Sequence, residues 1–121
     1  MSNKIKVSVI LPVYNAEKYI SAALESLITQ TLTEIEIICV NDGSKDNSKQ
    51  ILQEFEKKDA RIKIIDKENQ GVWKARIDGI KRAEGEYITF IDSDDYVKEN
   101  FLESLYKNIT ENNSDISICR I

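Results

Sequence analysis

The sequence has 121 residues, which suits one compact domain with a hydrophobic core of its own. The formal net charge of −4 and the lack of any Lys/Arg block argue against a nucleic-acid partner, because binding phosphates takes a clustered basic surface. No apolar run approaches the roughly 20 residues that span a bilayer, and the polar N-terminus does not resemble a signal peptide. We therefore expect a cytoplasmic protein, with peripheral attachment to the inner face of the membrane as an alternative.

The first half of the sequence predicts two strand–helix units. A β-branched run ends at Pro12, and apolar residues then recur every three or four positions, as on one face of a helix. A second apolar run ends at the turn residues 41–44, and Ser44 or Asp46 is a candidate cap for the helix that follows. The predicted strands cover Val7–Leu11 and Ile35–Val40, and the predicted helices contain Tyr19–Ile28 and Ile51–Phe55.

The second half repeats this pattern twice and ends in one more apolar run. Its first helix carries Arg76 on an otherwise apolar stripe, and its second strand runs directly into the acidic cluster 92–95. The predicted strands cover Arg61–Ile65, Tyr87–Ile91 and Asp115–Ile121, and the predicted helices contain Val72–Ala83 and Phe101–Ile109.

The alternation of strands and helices predicts an α/β fold. Repeated strand–helix units give parallel pairing with right-handed crossovers, and hence an open, mostly parallel, Rossmann-like sheet with helices on both faces. We expect residues 1–121 to form a single domain. Covering elements normally follow the last strand of such a sheet, so we expect the chain to be truncated, and an uncovered last strand is a candidate homodimer contact.

Both cysteines lie in apolar, β-branched runs. This position predicts that Cys39 and Cys119 are buried, reduced thiols. A disulfide would require the two residues to be strand neighbours with the right geometry, and the sequence gives no secretory context for one.

Polar residues follow three of the predicted strands. Tyr14 and Asn15 follow the first strand, Asp42 the second and Asp92 the fourth. In open α/β sheets ligands bind beyond the carboxyl ends of the strands, at the point where the strand order reverses. The sequence therefore predicts one site that includes all these positions.

The acidic cluster is a candidate metal site. Asp92 and Asp94 are two residues apart, so in extended backbone their side chains point to the same side. Two adjacent carboxylates repel each other, and a divalent cation removes that conflict. Such oxygen ligands suit Mn²⁺ or Mg²⁺ bound together with substrate phosphates. The alternative is a solvated acidic turn in which Asp94 or Asp95 caps the next helix.

Four other residues leave two interpretations open. Asp42 forms an Asx turn or helix cap, or it accepts a hydrogen bond from a nucleobase N–H. Tyr14 packs on the first helix, or it offers a flat face to a base. Arg76 extends its stem over apolar surface, or it reaches a phosphate. For Trp73, packing is favoured over a ligand contact.

Four sequence blocks together resemble family 2 glycosyltransferases of the GT-A fold. The blocks have the family's order and spacing and cover nearly the whole chain. They are Val7–Asn15, Val40–Asp46, Asn69–Gly71 and Glu84–Asp95.

The resemblance implies a role for each matched residue. Pro12 and Tyr14 would lie along the nucleobase, and Asp42 would hydrogen-bond it. Asp92 would approach the ribose and the metal-bound diphosphate, and Asp94 would ligate the cation directly.

Arg76 matches an arginine that lies near the nucleotide in relatives. The family often has Asn after this arginine, whereas the present sequence has Ile77. This departure weakens the match in local detail.

The resemblance also implies a reaction. A sugar would pass from a nucleotide-diphosphate sugar, with UDP favoured over GDP and dTDP, to a glycan or lipid-linked acceptor in polysaccharide or glycoconjugate synthesis. Mn²⁺ or Mg²⁺ would stabilise the leaving diphosphate, and the anomeric centre would be inverted. The carboxylate base comes from the acceptor-binding half, which we expect to be absent, so the chain would bind the donor without turnover.

Three other classes of protein compete with this interpretation. A haloacid-dehalogenase-like phosphatase would use Asp92 as a nucleophile and normally has Thr or Val where this chain has Tyr96. A receiver-type signalling domain needs an acidic pair after the first strand, where residues 12–15 provide none. A non-catalytic nucleotide-binding module is the third alternative.

Overall fold

Four parallel strands, connected through helices, form one open sheet in the computed structural model, which describes residues 4–111. The strands are β1 (Val7–Val13), β2 (Ile35–Asp42), β3 (Ile62–Lys67) and β4 (Tyr87–Phe90). The helices are α1 (Ile20–Ile28), α2 (Ser48–Lys58), α3 (Val72–Arg82) and α4 (Phe101–Glu111). The predicted α/β fold is confirmed for the described residues.

The strand order β3-β2-β1-β4 places the reversal of the sheet between β1 and β4. The chain builds the sheet outward from β1 to β3 and then returns to add β4 on the other side of β1. β4 ends at Phe90, which pairs with Ile10, whereas β1 continues to Val13. A crevice therefore opens beyond the end of β4, at the position where this class of sheet binds ligands.

Pro12 lies inside β1, although the sequence predicts that it ends the strand. The carbonyl of Ile10 accepts the N–H of Ile91 at 3.0 Å, so the backbone groups of Ile10 face β4. Pro12 is two residues further on and faces the same side, where β4 has already ended. The missing N–H of proline therefore removes no bond between strands.

Helices cover both faces of the sheet, as predicted. One face carries the larger core, in which α1, α2 and α4 bury Leu24, Leu52 and Leu102. On the other face α3 packs on β1 and β2 through Ala75 and Gly79. A Cβ on Gly79 would lie 2.5 Å from Ile10 Cγ2, so only glycine permits this close approach.

A buried polar network joins the strands at their amino ends. Ser8 donates to Glu36 at 2.6 Å, Lys63 donates to the same carboxylate at 2.7 Å, and the N–H of Glu84 donates to it at 2.6 Å. The N–H of Gly85 donates to Ser8 Oγ at 2.8 Å. Burial would raise the pKa of Glu36, but these three donors together hold that pKa below its ordinary value.

The cysteine prediction is confirmed where the structure describes it. Cys39 is a free thiol that is fully buried in β2, and burial followed by the nearby Glu56 carboxylate raises its pKa to about 12. Cys119 and the predicted strand Asp115–Ile121 lie outside the described residues. Within residues 4–111, none of the helices has both the length and the apolar character that crossing a bilayer requires.

Candidate functional site

A cavity of about 520 Å³ lies at the carboxyl ends of the strands. The loops after β1, β3 and β4 contribute to its walls, and β2 contributes its last residue, Asp42, as the topology predicts. Five of the six predicted site residues line it, and Arg76 does not. These five residues are Pro12, Tyr14, Asp42, Asp92 and Asp94.

Two tyrosines form part of the cavity wall on the β1 side. Tyr14 follows β1 directly, and 49% of its surface is exposed. Tyr19 precedes α1 and is 54% exposed, although the helical pattern predicts that it belongs to the apolar face. The structure thus adds a second aromatic side chain that the sequence pattern misassigns to the core.

Asp42 is the last residue of β2, and the loop after β3 surrounds it. Its carboxylate accepts the N–H of Gln70 at 2.8 Å and the N–H of Gly71 at 3.0 Å. Its carbonyl accepts Nδ2 of Asn69 at 3.2 Å. The interpretation of Asp42 as part of a local Asx turn or helix cap is therefore wrong. Asp42 instead fixes a distant loop, with its side chain in the cavity wall.

The block Asn69–Gly71 matches the family without a predicted role. Its contacts with Asp42 show a structural role, because this block closes the cavity on the β3 side. Gly71 has a φ of 96°, which favours glycine, and a Cβ on Gly43 would lie 2.6 Å from the backbone nitrogen of Asn69. Gly43 is the sequence signal for this close contact between loops, whereas Gly71 marks a backbone turn.

The acidic residues after β4 form a compact cluster. Carboxylate oxygens of Asp92, Asp94 and Asp95 lie within 4.8 Å of one another. The N–H of Asp95 donates to the carbonyl of Asp92 at 3.1 Å, which closes the turn. Three oxygen donors at this spacing fit a hard divalent cation such as Mg²⁺ or Mn²⁺.

The capping alternative for these aspartates is wrong. Helix α4 begins at Phe101, six residues after Asp95. The N–H of Leu102 in its first turn donates to Oε1 of Gln30, at 2.9 Å. The buried Gln30 therefore takes the capping role that the sequence assigns to Asp94 or Asp95.

Arg76 lies beside the cavity at the acidic turn. Its guanidinium carbon lies 5.2 Å from the ring centre of Trp73 and 5.7 Å from that of Phe90. One guanidinium nitrogen lies 3.8 Å from Asp92 Oδ1. Trp73 is 73% exposed, so its ring does not pack in the core. Its ring instead helps to hold the positively charged guanidinium of Arg76 next to Asp92.

The fold is that of an open α/β domain with a cavity and an acidic turn at the switch point of its sheet. Comparison with known families specifies the class. The model described as "Glycosyl transferase family 2" matches residues 8–121, so the chain belongs to this family. This assignment replaces the phosphatase and receiver alternatives.

Curated and solved relatives agree with the assignment. The chain is 48% identical to the glycosyltransferase GlyA of Streptococcus pneumoniae over 113 residues, which are 93% of this chain and 16% of GlyA. It is 39% identical to Staphylococcus aureus TarS, whose residues 1–349 were solved in complex with UDP-GlcNAc. That similarity has a TM-score of 0.83 and covers 89% of this chain and 32% of the solved one. The chain thus has the GT-A fold and spans a third or less of these two relatives.

A more distant structure shares the fold alone. The mannosyltransferase of Pyrobaculum calidifontis, solved in complex with GDP-Man and Mn²⁺, is 20% identical with a TM-score of 0.81. The match covers 88% of this chain and 32% of the mannosyltransferase.

Proposed function

We propose that this chain is the donor-binding part of a glycosyltransferase and that its cavity binds a nucleotide-diphosphate sugar, with UDP as the nucleotide. The observation that carries the proposal is the convergence of Tyr14, Asp42 and the acidic turn 92–95 on one cavity at the switch point of the sheet. The UDP-GlcNAc complex of TarS supports the choice of UDP.

The two sides of the cavity suit the two parts of this ligand. Pro12 and Tyr14 offer apolar and aromatic surface on which a nucleobase can lie. The Asp42 carboxylate has lone pairs beyond those taken by Gln70 and Gly71, so it can also accept the N–H of a uracil ring. Recognition of that N–H would distinguish uracil from bases that lack a donor at this position.

The acidic turn is the proposed metal site. Asp94 and Asp92 would hold Mn²⁺ or Mg²⁺, and the cation would supply positive charge for the leaving diphosphate. Asp92 lies next to Arg76, so this end of the cavity combines carboxylates with one fixed cation. Both features suit the diphosphate more than the base.

The proposed overall reaction is transfer of the sugar, with inversion, to a hydroxyl of a glycan or lipid-linked acceptor. The acceptor hydroxyl needs a carboxylate base within hydrogen-bond reach. We assign that base to the part of the longer relatives that this chain does not span. The 121-residue chain is therefore proposed to bind the donor without transferring it.

Calorimetric titration of the 121-residue chain tests this proposal. We expect UDP to bind more tightly with Mn²⁺ than in EDTA, and CDP, whose base has no N–H at this ring position, to bind more weakly than UDP under both conditions. No heat with millimolar UDP and Mn²⁺ in a folded sample would contradict the proposal. Equal affinity for UDP with and without metal would contradict the metal site while leaving the nucleotide site in place.

A further inference from the structure

Three side chains between β2 and the start of α2 accept hydrogen bonds from three consecutive backbone N–H groups of the loop after β1, at the cavity. The N–H of Asn15 donates to Ser44 Oγ at 3.0 Å, and the N–H of Ala16 donates to Ser48 Oγ at 2.9 Å. The N–H of Glu17 donates to Asp46 Oδ2 at 3.1 Å. The loop after β1 is thus bonded at every position from 15 to 17 to the loop after β2 or to the first residue of α2. We call this set of bonds the loop tie.

Asn15 makes the loop tie reciprocal. Its Oδ1 accepts the N–H of Lys45 at 2.8 Å, so the loop after β1 also satisfies a backbone donor of the other loop. Asn15 has a φ of 48°, a left-handed conformation that asparagine tolerates better than most residues. This backbone turn immediately follows Tyr14, so it sets the direction in which the chain leaves the tyrosine.

Ser48 anchors the loop tie in the protein interior. It is fully buried as the first residue of α2, and its own N–H donates to Asp46 Oδ1 at 2.9 Å. Asp46 therefore accepts the first N–H of α2 with one carboxylate oxygen and the N–H of Glu17 with the other. The loop after β1 is therefore held by a buried residue of α2 as well as by more exposed side chains.

The loop tie continues to the third loop of the cavity through Asp42, which binds the N–H groups of Gln70 and Gly71. The acidic turn is attached differently. Among residues 4–111, the side chains of residues 92–95 make one polar contact with another element. This contact is the 3.8 Å approach of Arg76 to Asp92. The first three loops are therefore joined to one another independently of the acidic turn.

Resting on the proposed function, we propose that Asn15 and Ser48 are positioning residues for the nucleoside side of the donor. They hold the loop that carries Tyr14 at a fixed place relative to Asp42, so this side of the cavity is formed before the nucleotide or the metal binds. Loss of the loop tie weakens the binding of UDP without metal. The gain in affinity that Mn²⁺ adds depends on the acidic turn and stays the same.

Two substitutions remove the loop tie at different points. Ser48→Ala leaves the buried N–H of Ala16 without its acceptor. Asn15→Gly removes the acceptor of the Lys45 N–H while it still permits a φ of 48°, so its effect is free of backbone strain. Ser26→Ala is the matched control, because Ser26 Oγ also accepts a backbone N–H, that of Val97 at 3.2 Å, away from the residues that line the cavity.

The test is calorimetric titration of each folded variant with UDP, in EDTA and in Mn²⁺. We expect Ser48→Ala to weaken metal-free binding about 5- to 10-fold, the effect of one lost hydrogen bond to a buried group. Asn15→Gly, which removes an exposed hydrogen bond, should weaken it about 2- to 5-fold. The ratio of the two dissociation constants should match that of the unsubstituted chain, and Ser26→Ala should change neither value. If Ser48→Ala does not fold, Asn15→Gly alone decides the question.

Three results would overturn the inference while the proposed function stands. The first is unchanged metal-free affinity in the variants of the loop tie, and the second is an equal loss of affinity in Ser26→Ala. A fall in the Mn²⁺ ratio along with metal-free affinity would also contradict it, because it would show a general loosening of the site. If the unsubstituted chain binds no UDP, the proposed function fails first and the inference fails with it.

Discussion

A guanidinium nitrogen of Arg76 lies 3.8 Å from Asp92 Oδ1, and the same guanidinium lies over the rings of Trp73 and Phe90. Its Nε is buried without a hydrogen-bond partner among the described residues. Ring contacts rather than hydrogen bonds therefore hold this cation at the end of the acidic turn. In the proposed site, a cation in this place would attract the diphosphate and would compete with a metal ion for Asp92.

Replacing Arg76 with alanine should change the binding of two ligands in opposite directions. Mn²⁺ alone should bind the acidic turn more tightly, because a positive charge next to Asp92 has been removed. UDP in EDTA should bind about 3- to 10-fold more weakly, because its diphosphate loses an attractive charge. Calorimetry measures both. Arg82→Ala is the control, since it removes the same charge from an exposed position at the other end of α3.

The substitution Asp94→Asn should remove most of the effect of Mn²⁺ on UDP binding. The amide keeps the size of the side chain but loses the charge that a hard cation requires. We expect the Mn²⁺-dependent gain in affinity to fall at least about tenfold, with UDP binding in EDTA unchanged or slightly stronger. Glu54→Gln on the exposed side of α2 is the charge-matched control. A full metal effect in Asp94→Asn would place the cation elsewhere.

Within residues 4–111, the sequence predicts the strands, the helices and most of the cavity correctly because these depend on local patterns. β-Branched runs and three- to four-residue periodicity identify the elements, and parallel topology then brings their carboxyl ends together. Pro12, Tyr14, Asp42, Asp92 and Asp94 therefore converge as expected.

The errors concern contacts between distant parts of the chain. Tyr19 has a helical core position but lies at the end of α1 that opens into the cavity. The Asp42 carboxylate binds backbone groups 28 and 29 residues away, which no local motif specifies. Gln30 caps α4 from 72 residues away in sequence. A local pattern therefore assigns the capping role to the nearby aspartates, which do not have it. Periodicity predicts which face of a helix or strand is apolar, but it does not predict which distant loop contacts that element.

Cys39 should not react with a thiol reagent while the protein is folded. The thiol is fully buried, and burial raises its pKa to about 12, so almost no reactive thiolate exists at pH 8. We expect 5,5′-dithiobis(2-nitrobenzoate) to modify no thiol in folded Cys119→Ser protein and one thiol in the same protein in guanidinium chloride. Rapid modification of the folded variant would show that β2 opens readily or is less buried than described.

Glu36 should make the fold sensitive to acid. Its carboxylate accepts hydrogen bonds from Ser8, Lys63 and the N–H of Glu84, and these hold its pKa below the ordinary value of 4.5 against the effect of burial. A carboxyl group with a lowered pKa in the folded state stabilises the protein above its unfolded pKa and loses this contribution as the pH falls through the folded pKa. The free energy of unfolding should therefore fall below about pH 4.5, more than surface charges alone would cause.

The variant Glu36→Gln separates this group from the other carboxylates. The amide leaves the Lys63 ammonium without a charged partner, and we expect the free energy of unfolding at pH 7 to fall by about 2–3 kcal/mol in urea titrations. The same variant should lose less stability than the unsubstituted protein between pH 7 and pH 4, because the titrating group is gone. Glu34→Gln, which removes an exposed partner of Lys6, should have little effect. If Glu36→Gln and the unsubstituted protein lose equal stability on acidification, the acid sensitivity comes from other carboxylates.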